Sequence, residues 1–238
     1  MTDVLDELTP DEPTDAPRAP ASLNWRQEAE DGVVRLWLDC ENSEVNVISE
    51  TVLAELDTLL DHVKETQPKA LVIRSAKPAG FAAGADIDSF AELRGEGAIA
   101  KLEQGHAVLD KLEALPFPTV AVIHGAALGG GFELALACEY RIGIEGAKFG
   151  FPEIQLGLHP GLGGTWRLSQ LVDPVEAMQM MLTGRTAHDR KAKKLGIIDA
   201  LVPERHVEAA IHAAAKGEMK HHAQGFRASA LRTRAARS

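Results

Sequence analysis

Three glycine-rich loops contain the residues whose types and spacing could support chemistry. They span residues 77–87, 124–137 and 149–165. Glycine and alanine are frequent in all three, and a backbone without bulky side chains can approach a ligand closely. Each loop also brings one carboxyl group, on Asp86, Glu133 and Glu153 respectively.

The second loop carries the clearest chemical pattern. Gly129–Gly131 open a segment rich in alanine and leucine that predicts a helix, and they leave its first N–H groups unobstructed. Those N–H groups and the helix dipole form a site where developing negative charge is stabilised. Glu133 falls within the first turn of the same predicted helix, and Asp86 of the first loop suits an N-cap or a first turn.

Each of these features also has a purely structural interpretation. The three glycines could serve only close packing between a strand and a helix. Glu133 could be a partner of the helix dipole, and Glu153 could cap a turn after Pro152. The residues taken one at a time leave both interpretations open.

Several other kinds of site are excluded by their missing motifs. No glycine-Lys-Ser/Thr sequence forms a Walker A loop, and the GxGxxG pattern after Gly161 and Gly163 is broken by Trp166. No serine occupies a GxSxG nucleophile elbow. The nine histidines show no metal-ligand spacing with carboxylates, and Cys40 and Cys138 are too few and too far apart for a disulfide scaffold. We therefore predict no metal site, no nucleotide hydrolysis and no complete dinucleotide-binding fingerprint.

The segments between the loops alternate between strand and helix patterns. Short runs rich in β-branched residues predict strands over Val33–Leu38, Ala70–Arg74, Thr119–Ile123 and Tyr140–Ile144. Apolar residues at i, i+3 and i+4 spacing predict helices over Ser49–Lys64, with Ser49 as N-cap, over Ala98–Leu115, and over Glu204–Lys216. This alternation indicates an α/β fold with parallel strands and right-handed crossovers.

The two ends of the chain differ sharply in charge from each other. Of the total charge of −10, residues 1–22 carry −5 with four of the 12 prolines, which is typical of a disordered acidic tail. Residues 216–238 carry +5, and His221–His222 within them are expected to be solvated. The acidic balance argues against a nucleic-acid partner. No apolar run is long enough to cross a membrane, and the first seven residues are acidic where a signal peptide would be basic, so we expect a cytoplasmic protein.

Taken together and in this order, the three loops resemble the enoyl-CoA hydratase (crotonase) superfamily. The resemblance is carried by Gly-Phe-Ala-Ala-Gly-Ala-Asp-Ile (80–87), Gly-Ala-Ala-Leu-Gly-Gly-Gly-Phe-Glu-Leu-Ala (125–135) and the whole third loop. It covers about residues 25–215 and is most similar to the hydratase portion of multifunctional fatty-acid oxidation α-subunits. The implied fold is α/β, a crotonase-like ββα spiral core, here with a shortened C-terminal helical region. It occupies residues 23–215, between the acidic tail and the basic C-terminal segment.

The resemblance implies a catalytic site with four members. The backbone N–H groups of Ala85 and Gly130 would polarise the thioester carbonyl of an acyl-CoA. Glu133 matches the base that activates water, and Glu153 matches the residue that delivers a proton to the α-carbon. CoA is part of the substrate, so no separate cofactor is expected; the residues implied to contact it are Ala83, Gly84, Asp86, Ile87 and Gly129. Arg74, Lys77 and Lys101 are further candidates for its phosphates.

The implied activity is hydration of enoyl-CoA in fatty-acid β-oxidation. Two alternatives remain at this point: Δ3-Δ2-enoyl-CoA isomerisation or another crotonase-type reaction, and a non-catalytic acyl-CoA-binding module. The second alternative arises because the chain stops before the further C-terminal helices that the family uses to cover the acyl pocket. The family also implies a homo-oligomer, a trimer or hexamer, with dehydrogenase or thiolase partners.

Overall fold

The structure, a computed structural model, describes residues 20–84 and 96–221. Within these residues two sheets are present. The larger sheet has six strands, in the spatial order β1 (Trp25–Glu30), β2 (Val33–Leu38), β3 (Ala70–Ser75), β5 (Thr119–Ile123), β7 (Tyr140–Ile144) and β10 (Ala200–Val202). The smaller sheet has four, in the order β4 (Gly80–Ala82), β6 (Ala126–Leu128), β8 (Lys148–Gly150) and β9 (Thr186–His188).

Seven α-helices accompany the sheets in the described part of the chain. They are α1 (Glu50–Thr66), α2 (Glu96–Glu113), α3 (Gly130–Ala137), α4 (Gly164–Ser169), α5 (Pro174–Thr183), α6 (Asp189–Leu195) and α7 (Val207–Ala215). Two 3-10 helices cover Pro152–Leu156 and Glu204–His206. None of the helices formed by the described residues has the length and apolar character needed to cross a membrane.

The chain repeats one unit: a strand in the larger sheet, a strand in the smaller sheet, then a helix. The units β3–β4–α2 and β5–β6–α3 follow this order, and β7–β8 leads into the 3-10 helix Pro152–Leu156. Each strand of one unit pairs in parallel with its counterpart in the next. The predicted α/β class with a ββα spiral and parallel pairing is therefore confirmed.

The predicted elements agree closely with the observed ones. Strands β2, β5 and β7 have the expected bounds, and β3 extends one residue further, to Ser75. Ser49 is the N-cap of α1, and its hydroxyl accepts a hydrogen bond from the Val52 N–H at 3.1 Å. The helix expected over 98–115 begins and ends two residues earlier, and the one expected over 204–216 begins as a 3-10 turn.

The central strands β3, β5 and β7 of the larger sheet are buried on both faces, and because their side chains alternate in direction, each face contributes to a different core. Leu71 and Ile73 of β3 belong to the main apolar core, which also contains the buried faces of α1 and α2. Val72, between them, packs on the other face in a second core with Val207 and Ile211 of α7. Nearly continuous apolar strands are expected where helices cover both faces of a parallel sheet.

His221 differs from its expected solvated state. Its ring stacks on Tyr140, with centroids 4.5 Å apart, and its Nδ1 lies 3.0 Å from Oδ1 of Asp199. Asp199 is buried beside Arg141, whose Nη2 is 3.0 Å from the other carboxylate oxygen. Burial alone would raise the pKa of Asp199, but the Arg141 charge and the hydrogen bond from His221 hold it below its usual value. His222 lies outside the described residues.

Asn46 ties the larger sheet to the loop that leads toward the glycine-rich segment. Its Nδ2 lies 3.0 Å from the Leu38 carbonyl oxygen, 2.8 Å from Ser75 Oγ and 3.1 Å from the Phe81 carbonyl oxygen, so its two N–H bonds are shared among three acceptors. Its Oδ1 accepts from the Cys40 N–H at 2.9 Å, and the residue is 1% exposed. One amide therefore satisfies groups on β2, β3 and β4 at once.

Replacing Asn46 with alanine should destabilise the protein by about 3 kcal/mol or more, because it removes the buried hydrogen bonds of this amide and leaves the Cys40 N–H without its acceptor. Urea denaturation measures this change in the free energy of unfolding. Gln104→Ala, at an exposed position of α2, is the matched control and should change it by less than about 0.5 kcal/mol. An Asn46→Ala protein as stable as the control would contradict the role given to this amide.

Candidate active site

The second and third glycine-rich loops meet at one cavity, together with the described end of the first. Its volume is about 360 Å³. Six of the nine predicted site residues line it: Ala83, Gly84, Gly129, Gly130, Glu133 and Glu153. The remaining three, Ala85, Asp86 and Ile87, lie outside the described residues. The cavity also has an apolar wall, formed by Leu102, Leu156, Leu158 and Leu162.

Glu133 is held by two backbone donors from the third loop. Its side chain lies in the first turn of α3, and the residue is 2% exposed. The N–H groups of Leu162 and Gly164 both donate to its Oε1, each at 2.7 Å. A Cβ on Gly164 would lie 2.8 Å from the Glu133 Cγ, so a glycine is needed for this close approach.

The geometry requires glycine at two of the three consecutive glycines, and the third lines the cavity. Gly129 has φ +48°, in the left-handed region, and a Cβ there would lie 2.9 Å from Oε1 of Glu153. A Cβ on Gly131 would lie 2.5 Å from the Cβ of Ala82, so this position serves close packing of α3 on β4. Gly130 lines the cavity as the first residue of α3, where amide N–H groups have no carbonyl partner in their own helix. The packing interpretation therefore holds for Gly131, while Gly129 and Gly130 face the cavity.

Glu153 lines the same cavity, directly beside Gly129. It follows Pro152 in the first turn of the 3-10 helix, and its side chain is half-buried. Its Oε2 is a buried atom with no hydrogen-bond partner among the described residues. An oxygen in that state is available to a group that enters the cavity.

Burial dominates the electrostatics of both carboxyl groups. Burial raises the pKa of Glu133 to about 7; the Gly164 and Leu162 N–H groups and the Arg167 charge oppose this rise, and the nearby Glu153 charge adds to it. Burial also raises the pKa of Glu153, against hydrogen bonding to its own N–H and the influence of His159. A carboxyl group with a pKa near 7 takes up and releases a proton at neutral pH, which suits acid–base chemistry.

The three basic residues considered for phosphate binding are engaged in ion pairs. Arg74 Nη2 lies 2.7 Å from Glu204 Oε1, and Lys77 Nζ lies 2.6 Å from Asp39 Oδ1. Lys101 pairs with Glu50. Each would have to exchange a carboxylate for a phosphate, so the structure gives these assignments no support.

Two residues near the site were missed by the sequence analysis. His159 lines the cavity close to Glu153, and its place in the third loop is the only signal that could have pointed to it. Arg167 is 6% exposed and donates from Nη1 to the Leu162 carbonyl at 2.9 Å. Nothing in its local sequence distinguishes it from a solvated arginine in the last turn of a short helix.

This fold and this cavity define the class of protein. Two glutamates and a glycine-rich helix start converge in a ββα spiral, and residues 28–233 match the enoyl-CoA hydratase/isomerase family. The chain belongs to this family.

Particular relatives make the match more specific. The chain is 42% identical over 188 residues to the fatty acid oxidation complex subunit alpha of Aliivibrio fischeri, covering 77% of this chain and 27% of that protein. It is 41% identical over 194 residues to the subunit of the same name in Shewanella frigidimarina, with coverage of 79% and 27%. The chain therefore spans about a quarter of the length of these relatives.

Solved structures share the fold over most of their length. The enoyl-CoA hydratase of Bacillus anthracis is 32% identical with a TM-score of 0.74, covering 82% of this chain and 76% of that one. The DspI protein of Pseudomonas aeruginosa is 28% identical with a TM-score of 0.78, covering 92% and 87%.

The raised pKa of Glu133 gives folding stability a characteristic pH dependence. Because this pKa is higher in the folded than in the unfolded chain, the contribution of Glu133 is fully present below about pH 4.5 and is lost as pH rises through about 7. Glu133→Gln keeps an oxygen that can accept both N–H bonds but carries no charge. The variant should therefore gain stability relative to wild type between pH 5 and pH 8, by on the order of 3 kcal/mol.

Urea denaturation at several pH values measures this gain. Glu145→Gln, at an exposed position outside the cavity, is the control and should show no such trend. If the difference between Glu133→Gln and wild type is the same at pH 5 and pH 8, the pKa assignment is wrong.

Proposed function

We propose that this chain hydrates the 2,3 double bond of enoyl-CoA thioesters. The observation that carries the proposal is the convergence of Glu133, Glu153 and the start of α3 on one cavity with an apolar wall. Solved relatives described as enoyl-CoA hydratases add support, since they share the fold at about 30% identity. CoA enters as part of the substrate, with no separate cofactor required.

In the proposed mechanism the thioester oxygen of the substrate binds at the start of α3. Attack of water on the β-carbon moves the π electrons toward this oxygen, which becomes negatively charged. The Gly130 N–H and the positive end of the helix stabilise that charge, and the Ala85 N–H is the proposed second donor. Losing one donor of this kind typically costs about 3–4 kcal/mol of transition-state stabilisation.

The two carboxyl groups divide the proton transfers. Glu133 removes a proton from water as the new C–O bond forms at the β-carbon. Glu153 delivers a proton to the α-carbon, so the enolate becomes the 3-hydroxyacyl product. Two acid–base groups are what hydration needs, whereas moving a double bond within the acyl chain can proceed with one. The presence of both favours hydration over isomerisation.

We place this reaction in fatty-acid β-oxidation because relatives at about 42% identity are named as subunits of a fatty acid oxidation complex. Straight acyl chains also suit the leucine-rich wall of the cavity. Dehydrogenase and thiolase activities are the proposed partners, since a dehydrogenase oxidises the 3-hydroxyacyl product and a thiolase cleaves the resulting 3-ketoacyl thioester.

We also propose a homo-oligomer. Seven large apolar side chains are exposed on α4, α5 and the loop around the 3-10 helix: Ile154, Leu156, Leu158, Trp166, Val175, Met178 and Leu182. Large apolar side chains exposed in this number on neighbouring elements favour an interface, although Leu156 and Leu158 also line the cavity. Light scattering of the purified chain measures its mass.

Glu133→Gln should lower hydration of crotonyl-CoA by about 100-fold or more, because the amide cannot accept the proton of water. Loss of the absorbance of the conjugated thioester measures the rate of the reaction. Glu145→Gln is the control and should retain full activity. Wild-type rates in Glu133→Gln would remove this residue from the mechanism, and turnover of a 3-enoyl-CoA alone by wild type would replace hydration with isomerisation.

Glu153→Gln should abolish exchange of the α-proton of the 3-hydroxyacyl product with solvent. The amide that replaces the carboxyl group cannot carry this proton to and from the α-carbon. Proton NMR or mass spectrometry in deuterium oxide reports incorporation at the α-carbon. Continued deuterium uptake at the wild-type rate would contradict the assignment.

A further inference from the structure

The two donors that hold Glu133 belong to a loop that needs its own support. Leu162 and Gly164 both donate to the same carboxylate oxygen, and Gly163 between them has φ +91°. This left-handed residue turns the chain so that N–H groups two residues apart converge. A small shift of this turn would remove both hydrogen bonds from Glu133.

Arg167 packs directly against that turn. Its Nη1 donates to the Leu162 carbonyl at 2.9 Å, so the same peptide segment that donates to Glu133 also accepts from the guanidinium. A Cβ on Gly163 would clash with Nη1, which shows how closely the turn and the guanidinium pack. The arginine side chain is 6% exposed.

The other nitrogens of Arg167 are anchored to α2. Nη2 donates to Asp110 Oδ1 at 2.5 Å, and Nε donates to Glu113 Oε2 at 3.0 Å. Both carboxylates lie near the end of α2, and their side chains are 68% and 44% exposed. The planar fork of arginine makes these contacts together with the Leu162 bond, an arrangement that a lysine ammonium cannot reproduce.

We propose that Arg167 is a positioning residue: it clamps the 161–164 turn to α2 and thereby fixes the Glu133 carboxylate for proton transfer. Arg167 touches no reacting atom in this arrangement and acts through the Leu162 and Gly164 N–H groups. A misplacement of a catalytic group by about 1 Å can cost on the order of 100-fold in rate.

The charge of Arg167 adds to its positioning effect. Glu153 from the 3-10 helix and Arg167 from α4 act on Glu133 through their charges, and His159 lies beside Glu153. His106 of α2 lies beside Gly163 of the turn, and Asp110 and Glu113 of α2 pair with Arg167. Arg167 favours the ionised form of Glu133, and Glu153 disfavours it. Replacing the guanidinium with an uncharged side chain should therefore raise the pKa of Glu133. Replacing it with an ammonium group, which keeps the positive charge but not the planar fork, should raise this pKa less.

The test compares Arg167→Met with Arg167→Lys. Both should lower kcat for crotonyl-CoA by at least about tenfold, with KM changing by less than about threefold, because Glu133 is no longer held. The acidic limb of the pH profile should move to higher pH in Arg167→Met and move less in Arg167→Lys. Arg185→Lys, an arginine that is half-exposed and pairs with Glu176 on α5, is the matched control and should change neither quantity.

A second measurement needs no reaction. Carbon-13 NMR of unliganded protein labelled at the glutamate carboxyl carbon monitors the titration of Glu133, and Glu133→Gln identifies its signal. The midpoint should rise in Arg167→Met. Because the kinetic readout rests on the proposed function and the titration does not, failure of wild type to hydrate crotonyl-CoA would overturn only the function.

A double variant, Asp110→Asn with Glu113→Gln, removes the anchor on α2 while leaving Arg167 intact. This double variant should also lower kcat, by a smaller factor than Arg167→Met. If Arg167→Met does not fold, the double variant tests the positioning role in its place. Unchanged kcat and an unchanged Glu133 midpoint in folded variants would overturn the proposal. A loss of thermal stability without a change in kcat or in the Glu133 midpoint would also overturn it, since Arg167 would then stabilise only the fold.

Discussion

The burial of one carboxyl group, that of Glu133, constrains everything around it. A buried carboxylate is tolerable only when its oxygens find donors, and both donors at Oε1 come from backbone N–H groups of one distant turn. That requirement fixes the position of the 161–164 turn against α3 and demands glycine at 164. Burial also raises the pKa of Glu133 to about 7. The same burial that costs folding free energy therefore makes the carboxyl group useful for proton transfer at neutral pH.

The glycine run before Glu133 shows how packing and chemistry share a short segment. Gly131 allows α3 to pack on β4, which brings the start of the helix to the cavity. Gly129 leaves space for Glu153, so the second carboxyl group reaches the same cavity. The structural and functional interpretations of these glycines are therefore complementary, because the helix can present its N–H groups only if it packs this closely.

The spiral of ββα units explains how loops far apart in the chain meet. Each unit ends a strand of the larger sheet on the same side, and parallel pairing aligns those ends. The smaller sheet then holds the three loops side by side. Asn46 joins three of these strands through a single buried amide, which couples the stability of the larger sheet to the position of Ala83 and Gly84.

The sequence by itself determined the local elements, the α/β class and the loops that carry the two glutamates, because strand composition, helical spacing and glycine runs are properties of neighbouring residues. The order of the three loops was also enough to indicate the family. Only the tertiary structure decided which groups meet. The donors to Glu133 lie 29 and 31 residues away, the carboxylates on Arg167 lie 54 and 57 residues away, and His221 packs on Asp199 across 22 residues. Such contacts arise from the packing of whole elements, and no local spacing encodes them.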